Sequence, residues 1–252
     1  MLSGCSQGKH TLTILGFLLF LILLSNPLLA NDCVVLLHGM ARTSASLDKI
    51  ENSLQGEGYL VANINYPSRS GTIAELAAPA VEQGLSDCKA QNASRISFVT
   101  HSLGGILVRA YLENHELENL HRVVMLAPPN QGSAVVDAFR EIPGYIWLNG
   151  PVGLQLGTGE DSVPLQLGAV DYDLGIIAGN RTINLILSQF LENPDDGKVS
   201  VASTRVEGMC GFIELPVNHV MMMRNRQVID EVVAYLGTGR FSGENAETGL
   251  CD

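Results

Sequence analysis

The segment Ile96-Ser97-Phe98-Val99-Thr100-His101-Ser102-Leu103-Gly104-Gly105 constrains the fold of this chain more than any other. An apolar run ends at a serine flanked by small residues, and a helix-compatible stretch begins at once. That order reads as strand, sharp turn and helix, with Ser102 at the apex. A side chain there stands clear of the backbone, and nearby glycines let the helix pack closely. Ser97 is the only polar interruption of the run, as expected of a strand covered on both faces.

Around this segment, apolar and helical stretches alternate as a mostly parallel sheet flanked by helices requires. Strands are expected over 34–37, 59–65, 95–100, 122–126, 174–178 and 212–215. Helices are expected over 44–54, 73–88, 104–114 and 226–236. The 252 residues suffice for one sizeable α/β domain, placed at 31–252. Periodicity breaks from about residue 130 to 172, where glycines and prolines mix with Phe139, Ile142, Tyr145 and Leu148. A stretch of that length is a functional insertion or disordered, and its apolar content argues against disorder. It reads as an apolar cap over the site, and it holds the only tryptophan, Trp147.

Residues 1–30 have a basic start, a short apolar core, Pro27 and a terminal Ala30, the pattern of a cleavable secretory signal peptide. The alternative is an uncleaved membrane anchor over residues 11–29. Export implies a periplasmic or secreted protein. Without those residues the chain keeps 14 basic against 26 acidic side chains, so it has little electrostatic reason to bind nucleic acid. Four cysteines remain, Cys33, Cys88, Cys210 and Cys251, and an oxidising compartment favours two disulfides. Three connectivities exist, and the positions of Cys33 and Cys88 at one end of the sheet favour 33–88 with 210–251. Free buried cysteines are the other reading.

Several spaced motifs occur in order: His38-Gly39-Met40-Ala41-Arg42-Thr43, Asn65-Tyr66-Pro67-Ser68, Thr100 to Gly105, Pro128-Pro129-Asn130-Gln131-Gly132-Ser133, Asp195-Asp196-Gly197 and the segment around His219. Together they resemble the α/β-hydrolase superfamily on its lipase and esterase side, in particular bacterial triacylglycerol lipases. The departures are Thr100, where the Gly-x-Ser-x-Gly pattern has its first glycine, and the Pro-Pro-Asn turn.

The resemblance implies ester hydrolysis through an acyl-enzyme, with no metal and no organic cofactor, and a triad ordered nucleophile, acid, histidine. A serine hydroxyl needs an imidazole to take its proton and a carboxylate to orient that imidazole. Ser102 is then the nucleophile. His219, directly after the last expected strand, is the histidine. His101 is expected to point away from the turn, and His38 to support the loop after the first strand. Asp196 is the acid, with Asp195 as the fallback in the same turn. The backbone N–H groups of Met40 and Leu103 are the expected oxyanion donors. Arg42, Trp147 and Met221 are candidates for the substrate pocket or cap. The expected substrate is a small-molecule or lipid-like ester, met through transient contact with a membrane or lipid interface. An acyltransferase with the same triad and a non-catalytic lipid-binding protein on the same fold are the competing readings.

Overall fold

Every residue of β1 (Asp32–Leu37) is buried, and its side chains divide between two cores. Cys33, Val35 and Leu37 join one apolar cluster, Val34 and Leu36 the other. Alternation at a period of two places successive side chains on opposite faces, so both faces of the strand must be covered. The computed structural model describes residues 31–249 and 251, and the expected leader over 1–30 lies outside them.

After β1 come a 3-10 turn (Ser44–Leu47), α1 (Asp48–Gly56), β2 (Leu60–Ile64), α2 (Ile73–Ala90), β3 (Arg95–His101), α3 (Leu103–Leu112) and β4 (Leu120–Leu126). Three short helices follow, α4 (Ala134–Phe139), α5 (Tyr145–Leu154) and α6 (Val163–Gln166). The chain then runs through β5 (Leu174–Gly179), α7 (Leu185–Ser188), α8 (Val201–Thr204), β6 (Gly211–Leu215), α9 (Arg226–Thr238) and β7 (Glu247–Thr248). The sheet order is β2-β1-β3-β4-β5-β6-β7, parallel throughout except for β7, which runs antiparallel to β6. Helices α2 and α3 cover the Val35 face through Leu76, Val81, Ile106 and Leu107. Helices α1 and α9 cover the other through Ile50, Leu54, Val228 and Val232.

That division positions the site. The chain leaves β1 towards one face and β3 towards the other, which opens a crevice between their C-terminal ends. Leu37 is in register with Thr100, so residues 38–40 lie beside residues 101–103.

Two differences from the sequence reading have simple causes. The segment between β4 and β5 contains helices, but each is short, and α5 is broken at Gly150, where φ is 73°. No single period survives such a break. The final strand β7 has two residues, too few for any pattern to register.

The cysteines pair as Cys33–Cys88 and Cys210–Cys251. The first ties β1 to α2 inside the core, and the second ties the C-terminal segment to the start of β6. In the chain-entropy account, loops of this size contribute about 4 kcal/mol each. Cys33 and Cys88 are fully buried, whereas Cys251 is exposed. Mild reductant should therefore open Cys210–Cys251 first, with the fold intact, and reach Cys33–Cys88 only on unfolding. Differential alkylation followed by mass spectrometry reads the order, and simultaneous opening of both bonds would contradict it.

Candidate active site

Ser102 sits between β3 and α3 with φ 52° and ψ −119°. Non-glycine residues rarely adopt a positive φ, and the conformation persists only where surrounding structure enforces it. Here Ser102 N–H donates to Leu126 O (2.9 Å), and Gly105 N–H donates to Ser102 O (3.0 Å). Gly104 makes the geometry possible. A Cβ there would lie 2.4 Å from Leu37 O, so the first turn of α3 can rest on the end of β1 only without a side chain. Thr100 is accommodated on the other side. Its hydroxyl lies 3.2 Å from where a Cβ on Gly105 would be, so the second glycine leaves room for the side chain that replaces the motif's first one.

His219 and Asp196 lie on loops at the same end of the sheet. His219 Nδ1–H donates to Asp196 Oδ2 (2.7 Å), and His219 N–H donates to Asp196 O (3.0 Å). Asp196 Oδ1 accepts from Lys198 N–H (2.9 Å) and Val199 N–H (2.8 Å). Both carboxylate oxygens are thus engaged, and the imidazole is held with its proton on Nδ1 and Nε2 free to act as a base. Asp195 is directed elsewhere. Its carboxylate accepts from the Ser188 hydroxyl and from Gly197 N–H (2.7 Å), which shapes the turn that presents Asp196.

Ser102 and His219 line one cavity of about 370 Å³. Met40, Arg42 and Lys198 border it. Val135, Val136, Phe139, Tyr145, Leu148 and Leu156, from the segment between β4 and β5, supply much of its apolar wall. Among the described residues no carboxylate lines it. Leu103 is the first residue of α3, so its N–H is among those a helix leaves without an intrahelical acceptor. Burial, reinforced by the Arg42 charge, holds the Lys198 ammonium below its usual pKa.

Two of the expected pocket residues lie elsewhere. Trp147 is 84% exposed and Met221 51% exposed, and neither lines the cavity. The adjacent Met222 and Met223 are buried in the core. The next residue in the helix, Leu148, is 56% exposed yet lines the cavity, a distinction composition does not carry.

His38 supports the loop after β1: its ring stacks on Tyr66, and Tyr66 O–H donates to His38 O. His101 was expected to point away from the site, and the structure corrects this. Its ring packs against that of His219, with centroids 4.7 Å apart, and its Nε2–H donates to His219 O (3.1 Å). A Cβ on Gly39 would lie 2.7 Å from His101 Nδ1, so that glycine leaves space for the imidazole. Tyr145, expected in the cap, lines the cavity, and Lys198 was missed as a lining residue.

Burial foremost, then the neighbouring His219 and Arg42, holds the His101 imidazole well below its ordinary pKa. Among the described residues its buried Nδ1 has no hydrogen-bond partner, as a neutral ring allows. The unfolded chain protonates this histidine near pH 6.5. Its contribution to stability is therefore whole above that pH and is lost as pH falls towards the folded value. His38, lowered chiefly by burial, acts in the same sense. Urea midpoints should drop between about pH 7 and pH 5, and His101→Gln should flatten the drop. An equal drop in both proteins would assign the acid sensitivity to other groups.

No curated protein matches the sequence. Solved structures do match its fold. A Bacillus licheniformis lipase in mature form superposes with a TM-score of 0.66 at 18% identity, over 84% of this chain and 94% of that one. EstA from Clostridium botulinum gives 0.59 at 13% identity, over 82% and 86%. The phospholipase PlaB from Legionella pneumophila gives 0.54 at 23% identity, over 69% of this chain and 44% of that one. These likenesses establish the α/β-hydrolase fold. The profile of the palmitoyl protein thioesterase family matches residues 33–158, from β1 past both the Met40 loop and the Ser102 turn. With half of its length matched in this way, the chain belongs to the palmitoyl protein thioesterase family.

Proposed function

We propose that the protein is an exported serine hydrolase that cleaves carboxylic esters, thioesters included, through an acyl-enzyme on Ser102. The observation that carries this reading is the His219–Asp196 hydrogen bond beside the strained Ser102 turn, on the wall of one apolar cavity. Ser102 Oγ attacks the acyl carbonyl and its proton passes to His219 Nε2. The oxyanion is held by the N–H groups of Met40 and Leu103. Collapse expels the alcohol or thiol with the proton from His219. Water then repeats the sequence, releasing the acid and restoring Ser102. Every proton moves among Ser102, His219, substrate and water, so the reaction as written requires no cofactor.

The acyl chain occupies the cavity beneath the segment between β4 and β5, which acts as a cap. Its volume falls within the range of about 300–1,000 Å³ usual for small-molecule sites. The large exposed apolar side chains among the described residues fall within 142–165, 183–190 and 220–221. Each of those stretches also supplies lining, through Leu148, Leu187 and Val220. An apolar rim around an acyl pocket suits transient contact with a lipid surface, and Trp147 belongs to that rim. The two disulfides accord with an oxidising compartment.

The test is turnover of p-nitrophenyl esters and acyl thioesters of graded chain length, with labelling by a fluorophosphonate. Turnover, with the label on the Ser102 peptide, is the expected result. A folded protein that neither turns over any chain length nor takes the label would overturn the reading.

A further inference from the structure

A second groove, of about 750 Å³, adjoins the catalytic cavity and shares Ala41 and Arg42 with it. Arg42, Arg69 and Arg224 line it, among hydroxyl and amide side chains such as Ser46, Ser70 and Asn65. Among the described residues no carboxylate lines the groove, in a chain with 26 acidic against 15 basic residues. Arg95, Arg122, Arg140, Arg205 and Arg226 have carboxylate partners, whereas Arg109, Arg181 and Arg240 pair with none among the described residues. Among the described residues, the three arginines of the groove have none. Arg69 spends one donor on Leu148 O (3.1 Å), which fixes it against α5. All three arginines are exposed, so an anion entering the groove meets guanidinium donors for which no carboxylate of the lining competes. The guanidinium fork suits phosphate oxygens in particular.

The position of the groove decides which part of a substrate it meets. Arg42 lies two residues beyond Met40, and the apolar wall of Val136, Phe139 and Leu156 is on the cavity side. With the acyl chain against that wall, the groove receives the other side of the scissile bond. We propose that Arg42, Arg69 and Arg224 form a phosphate subsite for the leaving group. The preferred substrate is then an acyl ester or thioester whose alcohol or thiol carries phosphate. This rests on the serine-hydrolase reading, and the experiment separates the two.

Matched pairs supply the test. Decanoyl-coenzyme A is compared with the decanoyl thioester of N-acetylcysteamine, and dioctanoyl phosphatidylglycerol with dioctanoylglycerol. In at least one pair the phosphate-bearing member should have the higher kcat/KM, and the pair that shows it identifies a coenzyme or a lipid headgroup as the source. The ratio within that pair should fall about tenfold in Arg224→Gln and further in Arg69→Gln/Arg224→Gln. It should also fall with added salt. Thermal unfolding of both variants checks that they fold, and among the described residues Arg224 has no side-chain hydrogen bond or ion pair that its replacement would break. Ratios near one that the variants leave unchanged would overturn the subsite, with neutral esters still cleaved. A stronger preference for an acidic acyl-peptide thioester would overturn it in favour of a protein substrate. Failure on the neutral members as well would be failure of the hydrolase reading. Binding is therefore read without chemistry, by titrating coenzyme A and glycerol 3-phosphate into Ser102→Ala protein. Binding of either that Arg69→Gln/Arg224→Gln abolishes supports the subsite, and no binding of either overturns it.

Discussion

Ser102→Ala protein should fold normally and lose about 10⁶-fold in kcat, to the level that binding and the oxyanion donors sustain alone. The loss is that large because the three groups act as a unit, and no other nucleophile stands at the apex of the turn. His219→Ala should cost about as much, and the double variant little more than either single one. Independent, multiplying losses would mean that the two residues do not share a step. The same position offers a stability readout. Ser102 holds a φ of 52°, which a residue with a Cβ adopts at a cost of about 1–3 kcal/mol. Ser102→Gly relieves that strain, so it should be as inactive as Ser102→Ala but about 1 kcal/mol more stable. Equal urea midpoints for Ala and Gly would show that the turn stores no strain.

Much of this arrangement was legible in the sequence because it is written in short-range features. The run from Ile96 to Gly105 encodes strand, turn and helix within ten residues, and the structure has β3, Ser102 and α3 there. The pairing of Cys33 with Cys88 followed from where each cysteine fell in the alternation of strands and helices. What the sequence did not show depends on contacts between distant residues. His101 meets His219 across 118 positions. Trp147 and Leu148 are exposed neighbours of similar character, yet only Leu148 lines the cavity. Arg42 and Arg69 come from two loops and Arg224 from a short 3-10 turn, and nothing in their spacing brings them to one groove. The irregular stretch from 130 to 172 hid its helices because Gly150, at positive φ, interrupts the period inside α5.

Asp195 and Asp196 were the least separable pair in the sequence, and their geometry now assigns them different effects. In Asp196→Asn the amide oxygen can keep the Lys198 and Val199 N–H bonds, so the turn should hold. The amide nitrogen then faces His219 Nδ1 as a donor, where the carboxylate was an acceptor. The imidazole answers by moving its proton to Nε2, the atom that must receive the serine proton. An otherwise intact site therefore has the wrong tautomer, and kcat should fall by about 10⁴-fold with little change in KM or thermal stability. Asp195→Asn retains an acceptor for Gly197 N–H and touches neither His219 nor the cavity. Its kcat should stay within about tenfold of wild type, with the cost appearing in stability because a buried carboxylate bonded to the Ser188 hydroxyl is lost. Steady-state kinetics and thermal melts on the two variants decide the matter. A large kcat loss in Asp195→Asn with near-normal turnover in Asp196→Asn would reassign the acid. Comparable losses in both, without a change in stability, would mean that the turn works as one unit and that the His219 bond alone does not define the acid.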